Sequence, residues 1–340
     1  MGTTQAQVSL DLKAYHGKPA SEHGNQALLK EVAGLRGLRI CYKPHSFQRA
    51  QRETVLQAAN IIEEYSDKGF DLTLRQLYYQ FVSRGLLDNT DGNYNRLGNI
   101  VVDGRMSGVI PWDKIKDRSR TLRGVEHQDS PAEAIQDLAE SYRIDKWRTQ
   151  NHRVEVWVEK DALIGVLGNA CVPYDIDFYA AHGFDSVTML WQAAQHRFVP
   201  YVSTGQPVTI LHLADHDPSG IDMTRDIKDR LQVFMGGRMK NLEIKRIALN
   251  WEQVERYQPP ANKIKEPTED SQGESRAAAY RERFGTDECW ELDALDPEII
   301  VDLIQSEIQN YIEPDLWDSA VEREDDERRQ LRDVASTWGQ

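Results

Sequence analysis

Little cysteine and no long apolar run set the first limits on this 340-residue chain. Cys41, Cys171 and Cys289 are too scattered for a zinc site and too few for a disulfide framework, and are expected to be reduced and buried. No stretch approaches the ~20 apolar residues of a membrane-spanning helix. The N-terminus lacks the apolar core of a signal peptide, so a cytoplasmic location is expected, nucleoid-associated in a bacterial or archaeal cell. Ala6 stands where an N-myristoylation signal carries Ser or Thr. No Walker-type Gly-rich phosphate loop and no internal repeat occur. Positive charge is scarce too: 41 Lys and Arg against 55 Asp and Glu leave a net charge of −14. That balance argues against a uniformly basic nucleic-acid-binding surface. The deficit is uneven, however. Residues 71–124 hold nine basic and six acidic side chains, whereas residues 313–333 hold nine acidic and four basic ones.

Hydrophobic residues at 40% and charged residues at 28% are ordinary for a folded protein, and the length suffices for two domains. Two stretches stand out. In Arg153–Leu163, Val154, Val156 and Val158 alternate with Glu155 and Trp157, and the strand so predicted ends on Glu159. In Thr209–Gly220, an apolar run ends on Asp215-His216-Asp217, and Pro218 and Gly220 then break the strand. Open α/β sheets bind ligands just beyond the carboxyl ends of their strands. Carboxylates gathered there repel one another unless a cation joins them. Hard oxygen donors without His or Cys ligands suit Mg²⁺ and phosphodiester chemistry. The competing reading is structural, since Asp, Pro and Gly also make ordinary turns.

Upstream, residues 1–45 read as a partly ordered arm. A helix is expected over 46–66 with a stripe of Phe47, Val55, Ala58, Ala59 and Ile62. A second begins at Thr73, whose spacing to Gln76 is that of a capping box, and ends at Gly85. A third spans about 94–106, and residues 108–120 read as an extended basic arm. Three short helices followed by a basic arm is the winged-helix pattern, a helix-turn-helix variant that docks on duplex DNA. Arg75, Arg96, Arg105, Lys114, Lys116, Arg118 and Arg120 are its candidate DNA contacts. Periodicity puts Tyr78 in the core with Leu74, Leu77 and Phe81, and Tyr79 on the face that carries Arg75. An arginine there would stabilise a phenolate and could hold a phosphate. Residues 125–152 read as a polar linker with one helix, 258–275 as an exposed loop, and 321–333 as a solvated helix within a charged tail, 313–340. A helix capped near Ser186 and a strand over 245–250 complete the expected elements.

The Glu159 strand, the Asp215-His-Asp217-Pro-Ser-Gly220 turn and the Arg75-Gln-Leu-Tyr-Tyr79 helix, in this order, resemble the A subunit of type IIB topoisomerase (topoisomerase VI) and the related meiotic double-strand-break transesterase. Gly183-Phe184-Asp185 and Glu291–Leu295 also sit where that family has short motifs, so the resemblance covers about residues 46–312. It implies an α/β chain with an N-terminal winged-helix domain over 46–124, then a Toprim (Rossmann-like) domain over 153–312. It implies further that Tyr79 forms a 5′-phosphotyrosyl link to double-stranded DNA, assisted by Arg75. Glu159, Asp215 and Asp217 would hold Mg²⁺, with the Tyr of one subunit serving the acids of the other in a homodimer. A topoisomerase of this kind needs a separate ATPase (B-type) subunit. A Toprim nuclease using metal-activated water, and a catalytically silent DNA-binding relative, are the alternatives.

Overall fold

The computed structural model describes residues 18–19, 26–31, 39–115, 127–180, 186–264 and 271–338. The chain divides into two compact units, residues 1–118 and 119–340. The expected motif Gly183-Phe184-Asp185, together with Lys116, Arg118 and Arg120, lies outside the described residues.

In the first unit, the two-residue strands β1 (Lys18–Pro19) and β2 (Ile40–Cys41) pair antiparallel, with helix α1 (Gln26–Glu31) between them in sequence. Helices α2 (Arg49–Asp67), α3 (Leu74–Ser83) and α4 (Asp91–Met106) follow. The apolar stripe of α2 buries Val55, Ala58, Ala59 and Ile62. The capping box that starts α3 is formed: Thr73 accepts from the Gln76 N–H, and Gln76 reaches back to the Thr73 N–H at 2.9 Å. Thr90 caps α4, its side chain accepting from the Asn93 N–H. Of the expected basic arm, the described part makes one parallel bridge, Ile115 to Leu72.

The second unit is an α/β layer structure. Its parallel sheet has the order β4–β3–β5–β6, with β3 (Arg153–Val158), β4 (Asp177–Ala180), β5 (Val208–Leu213) and β6 (Leu242–Ala248). Every residue of β3 and β5 is buried, while the edge strand β4 is partly exposed. Val154, Val156, Val158, Leu211 and Leu213 pack with Val166 and Leu167 of α6 (Ile164–Cys171) and with Ile300, Ile304 and Ile308 of α12 (Pro297–Gln309). The opposite face, with Trp157 and Ile210, is covered by α7 (Val187–Gln192), the segment Ala193–Phe198, α8 (Val199–Ser203) and α9 (Pro218–Met235). Each such buried aliphatic contributes about 1.5–3 kcal/mol, and a one-residue slip would exchange the two faces, so the register is fixed.

Covering both faces buries a carboxylate. Glu155 alternates with valines as a solvent-facing residue would, yet it is 2% exposed. Its Oε2 accepts from Trp157 Nε1 at 2.9 Å and pairs with Arg197 at 3.4 Å, while Oε1 has no hydrogen-bond partner among the described residues. Burial pushes its carboxyl up to about 7; Arg197, Trp157 and Arg153 oppose that shift and Asp177 adds to it. The folded protein thus keeps a proton that the unfolded chain gives up near 4.5. Stability from this group is present below pH 4.5 and is lost as pH rises toward 7. Glu155→Gln should therefore unfold at higher urea than the parent at pH 8, by about 3 kcal/mol, with no gap near pH 4. A gap that does not change with pH would refute the assignment.

Beyond the sheet, α10 (Trp251–Tyr257), β7 (Ala261–Lys263), α11 (Ser271–Phe284) and β8 (Glu288–Trp290) follow β6. Residues 258–275, expected as one exposed loop, instead supply β7, which pairs antiparallel with β8, and the start of α11. The one helix expected in the linker forms, and the helix expected over 321–333 forms as part of a longer one. Helix α5 (Pro131–Ser141) packs on α13 (Pro314–Thr337), and Glu324 is 4% exposed. Glu324 pairs with Lys146 at 2.5 Å and with Arg328 at 2.5 Å, so part of the acidic run is neutralised within the fold.

Candidate active site

Strands β3 and β5 are neighbours, but the chain leaves β3 toward β4 on one side and leaves β5 toward β6 on the other. Their carboxyl ends therefore flank the topological switch point, where open α/β sheets bind ligands. Glu159 closes β3, with its N–H on the Leu213 carbonyl at 3.0 Å. Asp215 follows β5, and its N–H donates to Glu159 Oε2 at 3.0 Å. Asp217 caps α9: its Oδ1 accepts from the Gly220 N–H at 2.6 Å. A helix N-terminus favours a negative charge at that position.

Three devices hold this acidic loop. His216 is 1% exposed between the two aspartates, with ring centroids of Phe284 and Tyr280 at 4.6 and 5.5 Å and of Trp251 and Trp290 at 5.7 and 5.9 Å. Burial pulls its imidazole down to about 4, so it is a neutral wedge. Its backbone exchanges both hydrogen bonds with Trp290 of β8. Second, Arg246 on β6 donates to the carbonyls of Ala214, Asp215, Gly220 and Leu249 and to Thr224 Oγ1. Third, Gly220 leaves no room for a side chain, because a Cβ there would collide with the Asp215 carbonyl oxygen.

Lys160 lies at the centre of the charges. Its Nζ is 2.9 Å from Asp215 Oδ2, 2.8 Å from Glu291 Oε2 and 2.8 Å from Asp293 Oδ1. The second Asp215 oxygen, Oδ1, accepts from the Leu292 N–H at 2.8 Å. Burial alone would lower the ammonium pKa, but Asp293, Asp215 and Glu291 overcome it and hold the group well above the usual lysine range. Burial raises the Asp215 carboxyl, and Lys160 opposes that shift without cancelling it. Glu159 is raised by burial as well, with Asp217 adding to the rise and the Asp215 N–H, Lys160 and Arg246 acting against it.

The expected set of three carboxylates is therefore not presented jointly. Among the described residues, no group of three or more His, Cys, Asp or Glu side chains is placed to hold a metal ion. Both oxygens of Asp215 are engaged. Among the described residues, Glu159 Oε1 and Asp217 Oδ2 accept no hydrogen bond, which leaves these two oxygens open to a cation. Two carboxylates with retained waters are a common Mg²⁺ donor set, and hard carboxylate oxygens are the donor type that ion takes. Lys160, Arg246, Glu291 and Asp293 were not anticipated as parts of the site. The Glu-Lys-Asp run after β3 and the Glu-Leu-Asp run after β8 were the available signals.

In the first unit, Arg75 and Tyr79 share a face as expected: Arg75 Nη2 is 3.3 Å from Tyr79 Oη, with the guanidinium 5.6 Å from the ring centroid. Tyr79 is 3% exposed, however, and is not the surface side chain that its helical position suggested. Tyr78 is 4% exposed, and its hydroxyl accepts from the Thr90 N–H at 2.7 Å and lies 3.0 Å from the Thr90 carbonyl. Of the candidate DNA contacts, Arg96 is exposed on α4. Arg105 is tied to the Trp112 carbonyl at 2.7 Å and Lys114 to Ser66 Oγ at 2.7 Å, so both serve the fold of this unit.

No protein-family model matches the chain, and no curated protein sequence matches it. No described helix is long and apolar enough to cross a membrane.

Proposed function

We propose that the chain is a Mg²⁺-dependent, DNA-cleaving transesterase similar to the A subunit of type IIB topoisomerases. In this reading the first unit is a winged-helix domain and the second a Toprim domain. The observation that carries it is the placement of Glu159, Asp215 and Asp217 beyond the carboxyl ends of two adjacent parallel strands at a switch point. Glu159 and Asp217 would hold the ion. Bound there, Mg²⁺ would supply positive charge for a phosphate in transfer. The Tyr79 oxygen forms a bond to phosphorus, the bond to the 3′ oxygen of the preceding nucleotide breaks, and that oxygen leaves with a proton. The product is a 5′-phosphotyrosyl strand end. Arg75 beside the Tyr79 hydroxyl favours the phenolate. Double-stranded DNA is the substrate, a homodimer the working form, and a separate ATPase subunit the partner that strand passage would require.

A second reading has one observation in its favour. Burial of Tyr79 fits a nuclease in which water, rather than tyrosine, attacks the phosphate. The two separate in one assay. Supercoiled plasmid is incubated with the full chain and Mg²⁺ or Mn²⁺, quenched in detergent, and split into samples with and without proteinase. Cleaved DNA that carries protein on its 5′ ends supports the transesterase. Cleaved DNA with free ends supports the nuclease, and no metal-dependent cleavage at any protein concentration defeats both.

A further inference from the structure

We propose that Lys160 is a built-in cation that occupies the place of a second metal ion and so limits the acidic centre to one ion. This rests on the reading of Glu159 and Asp217 as the metal-binding pair. An ammonium group has three donors, and Lys160 directs them at three carboxylates, Asp215, Glu291 and Asp293, each within 2.9 Å. These acids come from two separate segments, the loop after β5 and the segment after β8, and all three meet at this Nζ. Asp293 is 1% exposed and Asp215 is 6% exposed, so water screens neither of them well. Like charges held this close away from water need a cation among them. Lys160 meets that need without an ion from solution.

Its position follows from the chain. Glu159 and Lys160 are consecutive at the end of β3. The carboxylate of the first takes the Asp215 N–H, and the ammonium of the second takes the Asp215 side chain. Asp215 is thus fixed from both ends and withheld from an incoming ion, which leaves the open oxygens of Glu159 and Asp217. Lys160 is a positioning residue: it sets how many ions the acids accept and where they sit.

The test counts ions on the full-length protein without DNA. Mn²⁺ is titrated into the parent, Lys160→Met, Lys160→Arg and Asp217→Asn, and free Mn²⁺ is read by electron paramagnetic resonance. The expected counts are one per chain for the parent, two for Lys160→Met and one for Lys160→Arg. If Lys160→Met does not fold, Lys160→Met/Glu291→Gln takes its place, with the second ion expected between Asp215 and Asp293. A count in the methionine variant equal to that of the parent overturns the role given to Lys160. A parent that binds no Mn²⁺, or a parent count that Asp217→Asn leaves unchanged, defeats the metal reading of Glu159 and Asp217 instead. An extra ion in the methionine variant supports the role of Lys160 in either case.

Discussion

Replacing Arg246 by methionine is expected to destabilise the second unit by about 3–5 kcal/mol, the cost of removing one partner from a buried charged network. The side chain lies under the acidic loop, and its two terminal nitrogens serve five oxygens. Four of the five are backbone carbonyls of Ala214, Asp215, Gly220 and Leu249. Methionine fills similar volume but donates nothing; the Ala214 carbonyl keeps the Leu249 N–H at 2.8 Å, while an acceptor left with no donor in a dry place costs about 1–3 kcal/mol. Burial pulls the guanidinium down to about 10, with Glu159, Asp215 and Asp217 opposing that pull, so it stays charged at neutral pH. Arg246→Lys keeps the charge and loses the planar fork, and should recover less than half of the loss. For a unit of this size, about 3–5 kcal/mol corresponds to a fall in melting temperature on the order of 10 °C, read by calorimetry. A fall of less than about 2 °C for Arg246→Met would mean that water already serves these carbonyls.

That network also marks the limit of what the sequence reveals. Local signals were legible: the Thr73–Gln76 capping box, the stripe of α2 apart from Phe47, which precedes the helix, and strands β3 and β5 are present where spacing put them. The acids at the strand ends were legible for the same reason, because an apolar run stopping on Glu or Asp is a local event. Arg246 was not, since its targets are carbonyl oxygens that every residue possesses. Lys160 was not, since Asp293 lies 133 positions away and nothing local joins them. Strand β4 is short, partly exposed and begins with Asp177, so it carries no alternating pattern to read. The charged run after 313 has the composition of a solvated helix. It buries Glu324 where Lys146, Arg328 and the Ile144 N–H meet its carboxylate. Tyr79 shows the same limit from the other side. Helical phase placed it correctly beside Arg75, but phase alone does not reveal what covers that face.

The largest effect on chemistry is expected from Tyr79→Phe, which should remove the covalent protein–DNA adduct altogether. Enzymes stripped of their nucleophile lose rate on the order of 10⁶-fold. The choice between the adjacent tyrosines rests on their hydroxyls. Tyr78 Oη is locked against the turn after α3, accepting from the Thr90 N–H and lying within 3.3 Å of acceptors on Asp88, Asn89 and Thr90. Burial raises its pKa, with Asp91 and Asp88 adding to the rise and the Thr90 N–H and Arg75 acting against it. Tyr79 Oη has the Arg75 guanidinium at 3.3 Å, a cation placed to hold a phosphate beside that oxygen. Tyr79→Phe gives up the hydrogen bond from Arg75 and should cost about 1 kcal/mol of stability. Tyr78→Phe leaves the Thr90 N–H without its partner and should cost about 1–3 kcal/mol while keeping the adduct. The two variants thus exchange places between a stability assay and an adduct assay. If the acids of one subunit serve the tyrosine of the other, mixing Tyr79→Phe with Asp217→Ala restores one composite site per heterodimer, and adduct returns where neither variant alone gives any. Adduct that survives Tyr79→Phe and disappears with Tyr78→Phe would reverse the assignment. Cleavage that survives both without protein on the DNA would leave water as the nucleophile.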